Sequence, residues 1–287
     1  MSKILITGSG GFVGKNLKEY LKEDYNLLTP RSFELNISDK TAVEKYFEAN
    51  NIDFVIHCAT KGGARGITDD ISVIDENLKM FNNLLICSGK NRIITFGSGA
   101  EYDKSRPLAK IREENLGEII PKDPYGMSKY LMAKEVEKLD NALCLNIFGA
   151  YGRWEKETRF PTYAISQNLK KEPIIINKDV VFDYLYIDDL CKIVKYFVES
   201  KPNEKIMNIT PTQSISLSEI SQIINEISGF KSEIIIKENG LNAEYTGDNS
   251  RLLNELGGFC FTSYEKGLKN LFDFLGSVDT YSGETSP

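Results

Sequence analysis

The sequence has one histidine, His57, and one tryptophan, Trp154. A single histidine excludes a zinc centre built from several imidazoles. Its five cysteines, Cys58, Cys87, Cys144, Cys191 and Cys260, are an odd number with no Cys-x-x-Cys pair, and each sits in an apolar run. That usage predicts buried free thiols in a reducing cytoplasm, not a disulfide framework. No apolar run reaches the 18 residues of a membrane-spanning helix, and no basic region with a cleavage site precedes the first strand. A cytoplasmic protein with no membrane partner is expected. Basic residues are not in excess, since 35 Lys and Arg against 41 Asp and Glu leave a formal net charge of −6. Nucleic acid needs a concentrated positive face, so it is not an expected partner.

What is there describes an ordinary globular chain. Its 287 residues can bury roughly three quarters of their unfolded surface, enough for one large or two intimately joined domains. Strand-like runs at 4–7, 26–29, 54–57, 93–96 and 142–147 alternate with helical patterns, which predicts a doubly wound parallel sheet. The last stretch, 276–287, is rich in Ser, Thr and Gly and reads as a disordered tail.

Residues 4–14, Ile4-Leu5-Ile6-Thr7-Gly8-Ser9-Gly10-Gly11-Phe12-Val13-Gly14, organise the rest. An apolar run enters a glycine cluster, after which Leu17, Tyr20 and Leu21 keep helical spacing. Gly8, Gly11 and Gly14 let the backbone turn, approach a ligand closely and pack helix on strand. The N–H groups at the helix start, around Phe12 and Val13, face negative charge. The spacing suits a dinucleotide pyrophosphate; a plain turn is the alternative. After the second strand, Leu28-Thr29-Pro30-Arg31-Ser32 offers no carboxylate for a ribose 2′-hydroxyl before Glu34, whereas Arg31 can meet a 2′-phosphate with a charge-assisted fork. NADP(H) is therefore favoured, with NAD(H) the alternative.

The third strand ends in His57-Cys58-Ala59-Thr60, followed by Lys61-Gly62-Gly63, where small residues leave room for a ligand. His57 reads as a histidine bonded to backbone, not a catalyst. Leu78, Phe81, Leu84 and Leu85 read as a core or dimer face. Ser98 lies just past the fourth strand. In Asp123-Pro124-Tyr125-Gly126-Met127-Ser128-Lys129, Asp123 is a good N-cap and Pro124 suits the first helical position. Tyr125 and Lys129 then share a helix face. The ammonium and the helix terminus both favour phenolate, so the tyrosine pKa is expected below its usual value near 10. The same motif recurs at Tyr130 and Lys134 without the cap and the proline.

Together the glycine loop, Ser98, Tyr125 and Lys129 resemble the extended short-chain dehydrogenase/reductase family of nucleotide-sugar enzymes. Asn146-Ile147-Phe148-Gly149, the segment from Phe182 to Leu190, and Asp248 through Gly257 extend the resemblance over nearly the whole chain. It implies a Rossmann-type sheet with a smaller C-terminal α/β substrate domain. The division would be 1–150 and 151–275, with a segment near 178–200 returning to the first domain. It also implies that Ser98 holds the substrate oxygen, Tyr125 is the general acid or base, and Lys129 binds the nicotinamide ribose. Asn36 and Ile37 would contact adenine, and Cys58, Ala59 and Thr60 would line the ribose. Lys61, Asn146, Arg153, Arg159 and Arg251 are candidates for substrate, and a homodimer through two helices of each subunit is usual in the family.

Departures from the family narrow the chemistry. Dehydratases carry an Asp-Glu pair after the Ser or Thr, where this chain has Gly99 and Ala100, and decarboxylases need a glutamate at Ala100. The fucose-synthase branch resembles this chain around Thr29-Pro30-Arg31 and Glu34-Leu35-Asn36, but its epimerising cysteine is Ala100 here. Glu101 is expected to face away if the strand continues. What remains is reduction of a 4-keto nucleotide sugar with NADPH. A 4-epimerase holding NAD tightly is the alternative, and a catalytically silent NADP(H)-binding sensor is the alternative of another class.

Overall fold

In the first strand, Ile4 and Ile6 point to one face and Leu5 to the other, and all three are fully buried. Ile4, Ile6, Ile56 and Ile94 enter one hydrophobic core, and Leu5, Val55 and Ile93 the other. A strand buried on both faces demands a layer on each side.

The computed structural model describes residues 1–64 and 66–282. Its elements begin with β1 (Lys3–Thr7), α1 (Phe12–Leu21), β2 (Asn26–Leu28), α2 (Lys40–Asn50), β3 (Phe54–His57) and α3 (Ser72–Ser88). There follow β4 (Arg92–Ser98), β5 (Leu108–Ile111), α4 (Pro124–Val136), β6 (Ala142–Ile147), β7 (Ala150–Tyr151) and α5 (Phe160–Leu169). Next come β8 (Ile174–Asp179), β9 (Val181–Phe182), β10 (Leu185–Tyr186), α6 (Ile187–Glu199), β11 (Ile206–Ile209) and β12 (Ile215–Ser216). The chain closes with α7 (Leu217–Ser228), β13 (Ile234–Leu241), β14 (Tyr245–Gly247), α8 (Ser250–Leu256) and α9 (Tyr264–Ser282).

Six parallel strands form the central sheet in the order β11-β6-β4-β3-β1-β2. The chain steps from β1 outward to β2, then returns to the other side of β1 for β3. A crevice therefore opens at the carboxyl ends of β1 and β3, the switch point at which open α/β sheets bind ligands.

The two halves are less separate than a boundary at 150 implies. β5 crosses into a second sheet, ordered β12-β9-β14-β5, and β11 crosses back to complete the central one. The expected return includes α6, whose Lys195 pairs with Asp24 at 2.6 Å and whose Glu199 accepts the Tyr25 hydroxyl at 2.9 Å. α9 continues through 276–282, where a tail was expected; 283–287 lie outside the described residues. Cys144 and Cys191 are buried, but Cys58 and Cys87 are only partly so and Cys260 is exposed, which corrects the expectation that all five are interior.

Candidate active site

The glycine loop is built by close approach. Gly8 has φ +67° and lies against Ala59, the Gly11 N–H bonds the Gly8 carbonyl at 2.9 Å, and a Cβ on Gly14 would strike that same carbonyl. Loop and helix therefore dock without side chains between them. No side chain caps the start of α1, so its first N–H groups are left for a ligand. A cleft of about 1250 Å³ opens over this loop. It gathers Gly8, Gly11, Phe12, Val13, Gly14, Arg31, Asn36, Ile37, Cys58, Ala59, Thr60 and Lys61 from three separate stretches of chain, and Arg159 lines it as well.

Arg31 lies directly over Gly10, where any Cβ would meet its guanidinium. Glu34, the first carboxylate after β2, accepts the Arg31 backbone N–H at 2.6 Å and so closes its own turn. The end of β2 thus presents a cation to the cleft.

Ser98 ends β4 and is 8 % exposed. Its Oγ accepts the Ala100 N–H at 3.2 Å and stands near enough to the phenols of Tyr125 and Tyr245 to favour their ionised forms. Tyr125 stands in the first turn of α4, where Asp123 accepts the Gly126 N–H at 3.0 Å and Pro124 begins the helix. One turn on, Lys129 is 4 % exposed and donates to the Phe96 carbonyl at 2.8 Å. Its ammonium lies 5.6 Å from the Tyr125 ring centre.

The expected direction of the tyrosine pKa is reversed. Burial pushes Tyr125 up to about 12, and the Ser98 hydroxyl and the Arg159 charge only moderate this. Lys129 is likewise lowered by burial. A sequence shows the ammonium and the helix terminus; the desolvation that outweighs them needs the fold.

Asn77 was missed. Buried in α3, it accepts the Lys61 N–H at 2.8 Å and donates to Ser128 Oγ at 3.0 Å, and Ser128 bonds the Tyr125 carbonyl at 2.8 Å. This chain of bonds ties the loop after β3 to the start of α4. Gly63 then lies against the Tyr125 ring, with a positive φ of +74°. Tyr245 was also missed; it comes from β14, roughly half the chain away in sequence, and no local pattern marks it.

Other candidates fall outside the cleft. Asn146 is fully buried and donates to the Tyr102 hydroxyl at 3.1 Å, so it braces β6 and does not reach substrate. Arg153 pairs with Asp188 at 3.2 Å and covers Trp154, which also receives Lys15. Arg251 is spent on Glu114 at 2.7 Å, Glu204 at 3.5 Å and the buried Glu113 at 3.7 Å. Arg251→Ala is therefore expected to cost about 1 kcal/mol, a Tm drop of roughly 2–4 °C, with substrate KM unmoved. A raised KM at unchanged Tm would return Arg251 to the substrate site. His57 is bonded through Nδ1 to Thr7 Oγ1 at 2.8 Å, and burial lowers its pKa to about 3, so it remains neutral.

Among the described residues no group of three or more His, Cys, Asp or Glu side chains could hold a metal ion, and no helix is long and apolar enough to cross a membrane. A family model, the NAD dependent epimerase/dehydratase family, matches residues 4–210. The chain belongs to that family. Within this epimerase/dehydratase family it is 26% identical to a GDP-L-colitose synthase of Yersinia pseudotuberculosis, over 95% of this chain and 97% of that one. It is 27% identical to a GDP-6-deoxy-D-talose 4-dehydrogenase of Aggregatibacter actinomycetemcomitans, over 94% and 97%. In fold it is similar to a GDP-mannoheptose C4 reductase from Campylobacter jejuni with NADP bound, at a TM-score of 0.81, 21% identity, and 96% and 98% coverage.

Proposed function

We propose that this protein reduces the C4 keto group of a nucleotide-linked sugar, with NADPH as the reductant. The observation that carries the reading is the joining of Ser98, Tyr125 and Lys129 behind the Gly62-Gly63 loop that borders a dinucleotide-sized cleft, with Gly99 and Ala100 where other chemistries need an acid or base. The cradle fits the cofactor: glycines 8, 11 and 14 admit a pyrophosphate, and Arg31 stands free of Glu34 to meet a 2′-phosphate. Cys58, Ala59, Thr60, Asn36 and Ile37 all border the cleft, the first three offered to the ribose and the last two to the adenine. When bound, the reduced nicotinamide supplies a hydride to the sugar C4.

The chain's own residues do the rest. Tyr125 gives its phenolic proton to the oxygen that becomes the C4 hydroxyl, and Ser98 hydrogen-bonds that oxygen while negative charge builds on it. Lys129 opposes the tyrosinate's negative charge and holds the nicotinamide ribose. The loop at Gly63 covers the phenol ring and keeps bulk water from it. Lys61 and Arg159 reach the cleft and are the substrate-side cations that remain.

The relatives' names put GDP-linked 4-keto sugars first in a substrate panel. Loss of NADPH absorbance with one of them is the expected result, and NAD that survives dialysis on the purified protein would favour a 4-epimerase. Arg31→Ala is expected to weaken NADPH binding about ten- to hundredfold and leave NADH within about twofold. Equal loss for both cofactors would overturn the assignment. The reading includes a cytoplasmic homodimer joined through α3 and α4, where Ile86 of α3 is 60% exposed.

A further inference from the structure

Beneath the catalytic side chains lies a carboxyl that the proposed chemistry does not use. Glu101 follows Ser98 by three residues, but the strand does not continue as expected. The chain turns through a 3-10 segment, Gly99–Tyr102, and carries Glu101 inward to full burial. Its Oε2 accepts the Ser98 N–H at 3.3 Å, while its Oε1, also buried, has no partner at hydrogen-bond geometry among the described residues, with the Asn146 amide close by. Gly97 makes the room: a Cβ there would lie 2.7 Å from Glu101 Oε2 and would collide with Asn146 Oδ1. Lys129 faces the carboxyl from α4, Asn146 and Cys144 from β6, Glu113 from the segment after β5, and Tyr102 from its own turn. Its charge also bears on Tyr125 and Tyr245. Lys129 is the cation among these groups, and Glu101 its neighbouring carboxyl.

We infer that Glu101 is a positioning residue whose proton sets how much negative charge lies beneath Ser98, Tyr125 and Lys129 during turnover. The inference rests on the reductase reading. Protonated, the carboxyl is neutral and Lys129 acts on the phenol unopposed. Ionised, it opposes the tyrosinate that forms when Tyr125 gives up its proton, so reduction slows. Burial raises this carboxyl to about 8, within an accessible range, whereas Tyr125 and His57 titrate far from it. Glu155 is raised to about 8 as well, so a wild-type profile does not by itself assign the group.

Glu101→Gln does assign it, because the amide oxygen still accepts the Ser98 N–H but carries no charge. The test measures kcat for NADPH oxidation with a 4-keto GDP-sugar, and Tm, for both proteins between about pH 6 and about pH 9. The wild-type rate is expected to fall through about pH 8, and the ratio of variant to wild-type kcat to rise about tenfold. The folded wild type keeps a proton that its unfolded chain releases near 4.5, so its stability falls as pH rises from there to about 8. The Tm gap in favour of the variant therefore widens with pH, a readout that needs no substrate. Turnover with an unchanged ratio overturns the proposal alone, even if the gap widens. Absence of turnover by the wild type with every 4-keto sugar overturns the reductase reading, and the proposal with it. If the variant does not fold, infrared spectra of a Glu155→Gln protein decide, because that substitution removes the other carboxyl raised to about 8. A buried protonated carboxyl band lost near pH 8 supports the proposal, and a band that is absent at pH 6 or persists at pH 9 overturns it.

Discussion

Tyr125→Phe is expected to lower kcat for NADPH-dependent reduction by about 10²- to 10⁴-fold and to leave NADPH affinity within about twofold. The phenylalanine ring fills the same space against Gly63, and the Asn77–Ser128 bonds that hold the helix start run to the Tyr125 backbone, so the site keeps its shape. What disappears is one hydroxyl and its proton. A pKa raised to about 12 keeps that proton in place throughout the working range, which suits an acid that must deliver it to an alkoxide. A variant with near wild-type turnover would exclude the hydroxyl as donor and move attention to Tyr245, whose hydroxyl lies beside Gly99, next to the same serine.

Gly14→Ala is expected to damage the cofactor site from the scaffold side. The added methyl meets only backbone: the Gly8 carbonyl carbon at 2.8 Å and the Ser9 Cα at 2.9 Å, in addition to the carbonyl oxygen. No side chain can rotate away, so α1 must move off the loop. Overpacking of this kind costs roughly 1–3 kcal/mol, a Tm drop of about 3–10 °C. Displacement of the helix start from the pyrophosphate should weaken NADPH binding by about ten- to hundredfold, read by calorimetric titration. Unchanged affinity would mean that the loop is a turn and not a phosphate cradle.

The parts legible from sequence are those whose cause is local. The glycine spacing at 8, 11 and 14 and the Asp123-Pro124 start of α4 each act over a few residues, and the structure has them where those residues dictate. Strands β3 and β6 begin and end as their apolar runs do, at Phe54–His57 and Ala142–Ile147. What was not legible depends on contact between distant stretches. Tyr245 reaches Ser98 only because β14 pairs with β5 and β9, and Arg251 leaves the substrate list because Glu113, Glu114 and Glu204 converge on it. The place of Glu101 could be given only on the condition that the strand continues, and the turn after β4 breaks that two-residue alternation. The tyrosine pKa was read with the wrong sign because neighbouring charges can be named from a sequence and desolvation cannot.

The crossing of strands between the sheets limits how the molecule can move. β5 leaves the N-terminal half to serve the smaller sheet, and β11 leaves the C-terminal half to pair with β6 along Ile206–Ile209. Asn208 of β11 also accepts the Tyr102 hydroxyl at 2.8 Å, just behind the turn that aims Ser98. A jaw-like opening would have to bend the chain at each of these crossings together. The strand order thus couples the two halves through more than one crossing, next to the turn that carries Ser98.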